Sequence, residues 1–260
     1  MASTQWRIDT VTSSDARRLI TYTIGQNETI KALGPLCIDI YDPLRRQYGV
    51  IASHALVGHI FLAPTDQNIP NDEDSYATAK NVTILSSREP PLERRHSLAH
   101  EIAHFWWAKD RPGTADELSS QSLAEYAALR LLSAGKGEVW RNKTVERFES
   151  HMAGFSKDLS DISGFSPDRR RILSNFGPSK LFRFEDRIGP RAMTRILKTP
   201  AHRNVHSLGA WFEVVDAETR KKDRQWIEEA PLGEKALCGF KSEMAERVSV
   251  RHAVANDERE

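Results

Sequence analysis

His100, Glu101 and His104 form the run His-Glu-Ile-Ala-His, whose residue types and spacing can do chemistry. On a helix, residues four apart stand one above the other, so both imidazoles share a face and can hold one metal ion without backbone strain. Zinc is the usual occupant of such nitrogen sites. Glu101 lies about 100° around the helix from His100. That places it to reach a water on the ion rather than the ion itself, which is the general-base role in hydrolysis. So short a match arises by chance in many chains. Here, however, Leu98, Ile102, Phe105 and Trp106 recur on the opposite face and predict a buried helix. Two buried histidines without bonds or ligands would carry a desolvation penalty. His96 extends the stripe at the same spacing; it is expected near the exposed helix start or behind the ligands, with a third-ligand role the alternative.

The elements that must position this run fall into two groups. Residues 5–86 read as mixed α/β. Trp6–Val11 predicts a first strand, Ser13 or Ser14 a cap for a helix over Asp15–Leu33, and Gly34-Pro35 its end. Leu36–Tyr41, Ile60–Leu62 and Val82–Ser86 predict three further strands, with Pro64 and Thr65–Ser75 as a loop. From Pro90 helical periodicity takes over. Pro90-Pro91 suits a helix start, because proline lacks an N–H that the first turn would leave unused anyway. Thr114 with Glu117 forms a capping box for a second helix running through Leu132 to about Gly135. Further helices are expected at Val145–Phe155, Arg187–Leu197 and Leu208–Lys221. The predicted organisation is α+β: a small mixed β-sheet lobe at 1–89, a mainly helical lobe at 90–247, and a polar tail at 248–260. The His-Glu-Ile-Ala-His helix sits at the junction, and the two lobes are expected to form one catalytic domain.

Charge excludes some functions. Lys plus Arg number 37 and Asp plus Glu 36, so no global pull toward nucleic acid or an anionic membrane is expected. Arg169–Arg171 and Lys221-Lys222 read as solvated helix surface. Cys37 and Cys238 lie far apart, without metal or redox spacing, and are expected as buried thiols. The first residues lack the charged-then-apolar pattern of a signal peptide, and no apolar stretch approaches the ~20 residues of a membrane span. A cytoplasmic enzyme is the expectation; the oligomeric state is not legible.

In HEIAHFWW, a loop, and then SSQSLAEYAALRLL, the sequence resembles the gluzincin metallopeptidases, specifically the aminopeptidase-N-like catalytic domain. The match covers about residues 81–133 and continues weakly from Asn175-Phe176-Gly177-Pro178 to Ile188-Gly189. The resemblance implies a zincin-like fold, a zinc cofactor, an edge strand at Asn81–Ser86 beside the substrate cleft, and a glutamate zinc ligand on the helix after the motif. It also implies a tyrosine that stabilises the oxyanion.

The sequence departs from that pattern in three places. Gln121 stands where the glutamate precedes Leu-Ala-x-Tyr, and Glu125 follows one turn later on the same face. Residue count from His104 favours Glu125, and local pattern favours Gln121. A carboxylate is the ordinary oxygen ligand of zinc, so Glu125 is the expected third ligand beside His100 and His104, with Gln121 the alternative. Tyr126 is the last tyrosine. Ser174 or Phe176 occupies the aligned place, and His206 is the candidate replacement for stabilising the transition state. The Gly-x-Met-Glu-Asn motif that grips a substrate amine is absent, and Tyr76–Val82 carries no glutamate in that role. The expected function is a zinc-dependent metallopeptidase or related amide hydrolase using a metal-activated water, with Glu101 as base. The alternative, motivated by Gln121 and the missing tyrosine, is a catalytically weak or inactive metallopeptidase-like binding or regulatory protein.

Overall fold

The computed structural model describes residues 6–14, 16, 18–24, 28–50, 57–63, 75–79, 82–86, 91–107, 115–152, 172–203, 208–220 and 223. Strands β1 (Trp6–Thr12) and β2 (Arg18–Ile24) pair antiparallel from Trp6↔Ile24 to Thr12↔Arg18. Helix α1 (Glu28–Tyr48) crosses over to β3 (Val57–Ala63), which lies parallel to β2; parallel neighbours need such a crossover. Strand β5 (Val82–Ser86) is parallel to β3, and β4 (Ser75–Ala79) closes the edge antiparallel to β5. The five strands run in the order β1-β2-β3-β5-β4.

Helices make up the rest: α2 (Pro91–Ala103), α3 (Ala115–Lys136) and α4 (Glu138–Met152), then a π-helical segment (Ile172–Phe176) leading directly into α5 (Gly177–Ile188), α6 (Pro190–Arg203) and α7 (Leu208–Glu218). A small sheet lobe followed by a mainly helical lobe is therefore the architecture. α2 packs against α1, α3 and strands β4 and β5, which puts the His-Glu-Ile-Ala-His helix at the junction of the two.

Several sequence expectations are overturned in the first fifty residues. The stretch expected as a helix over Asp15–Leu33 contains strand β2, whose alternating Leu19, Thr21 and Thr23 are buried. Leu36–Tyr41 is not a strand but the middle of α1. The buried positions of α1 are Leu33, Cys37, Ile40, Tyr41, Leu44 and Tyr48, steps of three and four that define one helical face. A short apolar run looks alike in a buried strand and a buried helix, and only this longer period separates them. Gly34 does not end a helix. It lies inside α1, where a Cβ would come within 2.8 Å of Val11 Cγ1, so the glycine serves close approach to β1. Val82–Ser86 is an inner strand, since β4 takes the edge. The helix expected over Arg187–Leu197 is broken at Gly189, between α5 and α6.

One hydrophobic cluster runs from Leu19 on β2 through the α1 face to Leu98, Ala99, Ile102 and Ala103 of α2. It continues into α3, α5, α6 and α7. Each large side chain in it contributes about 1.5–3 kcal/mol by leaving water. Cys37 belongs to this core, and burial pushes its thiol far above the usual range, leaving it inert as expected. Among the described residues, no helix is long and apolar enough to cross a membrane. The 65–74 loop, Thr114, Arg169–Arg171, His206, Lys221-Lys222, Cys238 and the 248–260 tail lie outside the described residues.

Candidate metal centre

Two helices face each other across the site. α2 brings His96, His100 and Glu101, with His104 in the tight turn just beyond its end. α3 brings Gln121 and Glu125, one turn apart on the side facing α2. Leu98, Ile102 and Trp106 are buried as the periodicity requires, while Phe105 is half-buried. Glu101 and His104 are buried as well, and His100 is half-buried.

The aromatic pair after the motif fixes the position of His104. Trp106 donates its indole N–H to the Gly49 carbonyl at 2.9 Å and packs on Tyr41, ring centroids 5.4 Å apart. Trp107 meets Tyr48 edge-on at 4.9 Å. The end of α2 is thus clamped to the end of α1. In that clamped turn the Trp107 carbonyl lies 2.8 Å from His104 Nδ1. A carbonyl only accepts, so His104 carries its proton on Nδ1 and turns the lone pair of Nε2 outward. This backbone anchor was hidden in the sequence; the paired tryptophans hinted at a fixed turn but not at its acceptor.

His100 is oriented from the other side. Its Nδ1 lies 2.8 Å from Glu125 Oε2, and the second Glu125 oxygen, Oε1, lies 2.8 Å from His96 Nε2. Burial alone would raise the Glu125 carboxyl. The positive charge of His96 and hydrogen bonds from His100 and His96 outweigh it and hold the group well below the usual carboxylate range. Glu125 thus stands as an acceptor at Nδ1 of His100, and in the neutral ring a proton held there leaves the lone pair on Nε2. The two rings meet at 83° with centroids 4.8 Å apart, and their Nε2 atoms are separated by 3.1 Å. Gln121 Oε1, another acceptor, lies 3.2 Å from His100 Nε2.

Nε2 of His100 thus faces two further atoms that can carry lone pairs, Nε2 of His104 at 3.1 Å and Oε1 of Gln121 at 3.2 Å. A proton on that nitrogen could bridge only one of these contacts, whereas a divalent cation could be shared by the three atoms. Zn–N bonds of about 2.0–2.1 Å place neighbouring ligand atoms of a tetrahedral site roughly 3.3 Å apart, close to the separations observed. The donor set therefore fits a metal ion. Among the described residues, no group of three or more His, Cys, Asp or Glu side chains is arranged to hold one. The reason is visible in the geometry: Glu125, expected as the third oxygen ligand, is directed at Nδ1 of His100, and the oxygen near Nε2 belongs to an amide.

The remaining sequence candidates separate. Tyr126 is fully buried against Phe182, centroids 4.7 Å apart, with its phenol pushed well above the usual value by burial, so it offers no donor to a substrate. Ser174 and Phe176 lie in the π-helical segment, half-buried. That segment is locked to α3 by Ser122, which donates to the Leu173 carbonyl at 3.3 Å. A Cβ on Gly177 would fall 1.7 Å from Ser122 Oγ, so glycine is required at this crossing, one residue from Gln121.

The fold can be compared with solved structures. The chain matches the M1 zinc metallopeptidase from Deinococcus radiodurans with a TM-score of 0.63 and 17% identity, covering 86% of this chain and 50% of that one. A point mutant of the Deinococcus radiodurans protein bound to a Tyr-Ser-Ala substrate matches with a TM-score of 0.59 at 16% identity, covering 86% and 50%. A two-domain M1 zinc metallopeptidase mutant bound to L-arginine matches at 0.62, 16% identity, and the same coverage. The fold is that of the M1 zinc metallopeptidases. This chain spans about half the length of those structures. No family model matches the sequence, and no curated protein matches it.

Proposed function

We propose that this chain is a zinc-dependent metallopeptidase, or hydrolase of a related amide, with the ion held by Nε2 of His100 and His104 and an oxygen from α3. The observation that carries this reading is the pair of Nε2 atoms 3.1 Å apart, each ring having its proton committed on the far side. Bound zinc polarises a carbonyl and brings the pKa of a water to about 7. Glu101, buried on the same helix one residue from His100, is the base that takes the water's proton and returns it to the departing amine. The Trp107 carbonyl and the Glu125 carboxylate keep the two rings in the tautomer that leaves Nε2 open. The core around α2 excludes bulk water and strengthens these polar contacts. The substrate would be a peptide or protein, and the site of action the cytoplasm.

Zinc content after gel filtration, followed by cleavage of a mixed peptide library, tests the reading. Near-stoichiometric zinc and cleavage reduced about 10²–10⁴-fold by Glu101→Gln are expected. Zinc retained without Glu101-dependent cleavage would instead mark a metallopeptidase-like binding or regulatory protein.

A further inference from the structure

We propose that the third protein ligand is the neutral amide oxygen of Gln121, and that Glu125 acts as a positioning residue behind His100. The inference rests on the metal reading above and changes the charge of its ligand set. Both oxygens of Glu125 are engaged away from the lone-pair cluster, Oε1 at His96 Nε2 and Oε2 at His100 Nδ1, each at 2.8 Å. To bind an ion between the Nε2 atoms it would have to abandon both histidine partners. Gln121 Oε1, by contrast, lies 3.2 Å from His100 Nε2, a separation close to the 3.1 Å between the two imidazole Nε2 atoms.

A carboxylate behind a histidine raises that ring's basicity and fixes its tautomer. A carboxylate on the ion would instead cancel part of the ion's charge. The site therefore contributes no ligand charge of its own. It holds a dication through three neutral donors, with the Glu125 carboxylate one ring away. Such a centre binds zinc less tightly than one with a carboxylate ligand, and a carboxylate placed at residue 121 should tighten it.

Titration of the chelator-stripped full chain with Zn²⁺ against an indicator, and with Co²⁺ followed by its d–d absorption, separates the possibilities without reference to activity. Gln121→Glu should tighten Zn²⁺ binding by about tenfold or more, a gain that misfolding cannot mimic. Gln121→Ala should weaken it and alter the Co²⁺ spectrum. Glu125→Ala should weaken binding about 10–100-fold with the ligand-field band positions kept, and Glu125→Gln, whose amide oxygen can still accept from Nδ1, should restore most of the loss. The assignment is overturned if Gln121→Ala changes neither affinity nor spectrum, or if Glu125→Gln is as damaging as Glu125→Ala and shifts the Co²⁺ bands. The underlying metal reading fails separately, if His100→Ala and His104→Ala leave Zn²⁺ affinity unchanged.

Discussion

Helix α3 carries two buried polar clusters about one turn apart, and they are built on opposite rules. At Arg130 every strong charge meets its opposite. Arg130 Nη2 is 3.1 Å from Glu185 Oε1, while Arg141 Nη2 is 3.5 Å from Glu185 Oε2 and 2.6 Å from Asp186 Oδ1. Arg141 also stacks over Phe182, 4.8 Å from its centroid, and donates to the Phe182 carbonyl. Near Gln121, by contrast, Nε2 of His100 faces both Nε2 of His104 and Oε1 of Gln121, while Glu125 and the Trp107 carbonyl take the Nδ1 sides of the two rings. A closed ion-pair network joins α3, α4 and α5 and needs nothing further. Acceptor-capable atoms set against one another instead leave a place that a cation would satisfy, which is the physical basis of the metal reading proposed above.

The comparison can be broken at either end. The largest expected effect is at the open cluster: His104→Ala should abolish stoichiometric zinc binding, measured after gel filtration, because one of the two imidazoles is gone. At the closed cluster, Glu185→Ala should destabilise the fold by about 3 kcal/mol in denaturant unfolding, because the half-buried Arg130 loses its carboxylate while Arg141 keeps Asp186, and should leave the Zn²⁺ affinity of the folded protein nearly unchanged. Gly177→Ala should lower stability by about 1–3 kcal/mol through overpacking against Ser122, and should weaken zinc binding as well because the strain falls beside Gln121. Trp106→Phe, which keeps the packing but loses the bond to Gly49, should remove about 1 kcal/mol.

The smallest effect calibrates the others. Arg183 and Glu149 pair at 2.9 Å on the surface, both side chains over 40% exposed. The hydrogen bond from Arg183 holds the Glu149 carboxyl below its ordinary value of 4.5. A depressed carboxyl stabilises the fold above its unfolded-state value and loses that contribution as pH falls through the folded one. Glu149→Gln should therefore reduce stability at neutral pH by no more than about 1 kcal/mol after solvent screening, and the difference from wild type should shrink as pH falls below 4.5 in thermal unfolding.

The open cluster was partly legible in the sequence, and the part that was hidden has a definite cause. A four-residue step on a helix announces that His100 and His104 share a face, and the apolar residues opposite announce burial. The same step makes Gln121 and Glu125 equivalent: both lie on the face toward α2, and spacing cannot say which ring nitrogen each one meets. The ion pairs of the closed cluster join residues from Arg130 to Asp186, and no local pattern encodes them. Similarly, strands β1, β3 and β5 follow from their β-branched runs, while α1 was obscured. Its apolar segment around Cys37–Tyr41 is too short to show a period, and Gly34-Pro35 imitates a stop signal that the packing against Val11 explains differently.

The clamp at the end of α2 gives the site an asymmetric mounting. His104 is held by the Trp107 carbonyl in a turn fastened to the end of α1 by Trp106, Gly49, Tyr41 and Tyr48. His100 is held by Glu125 and so belongs to α3. The two imidazoles stand one turn apart at the end of a single helix, yet each takes its orientation from a different neighbour, one from the turn fastened to α1 and the other from a carboxylate on α3.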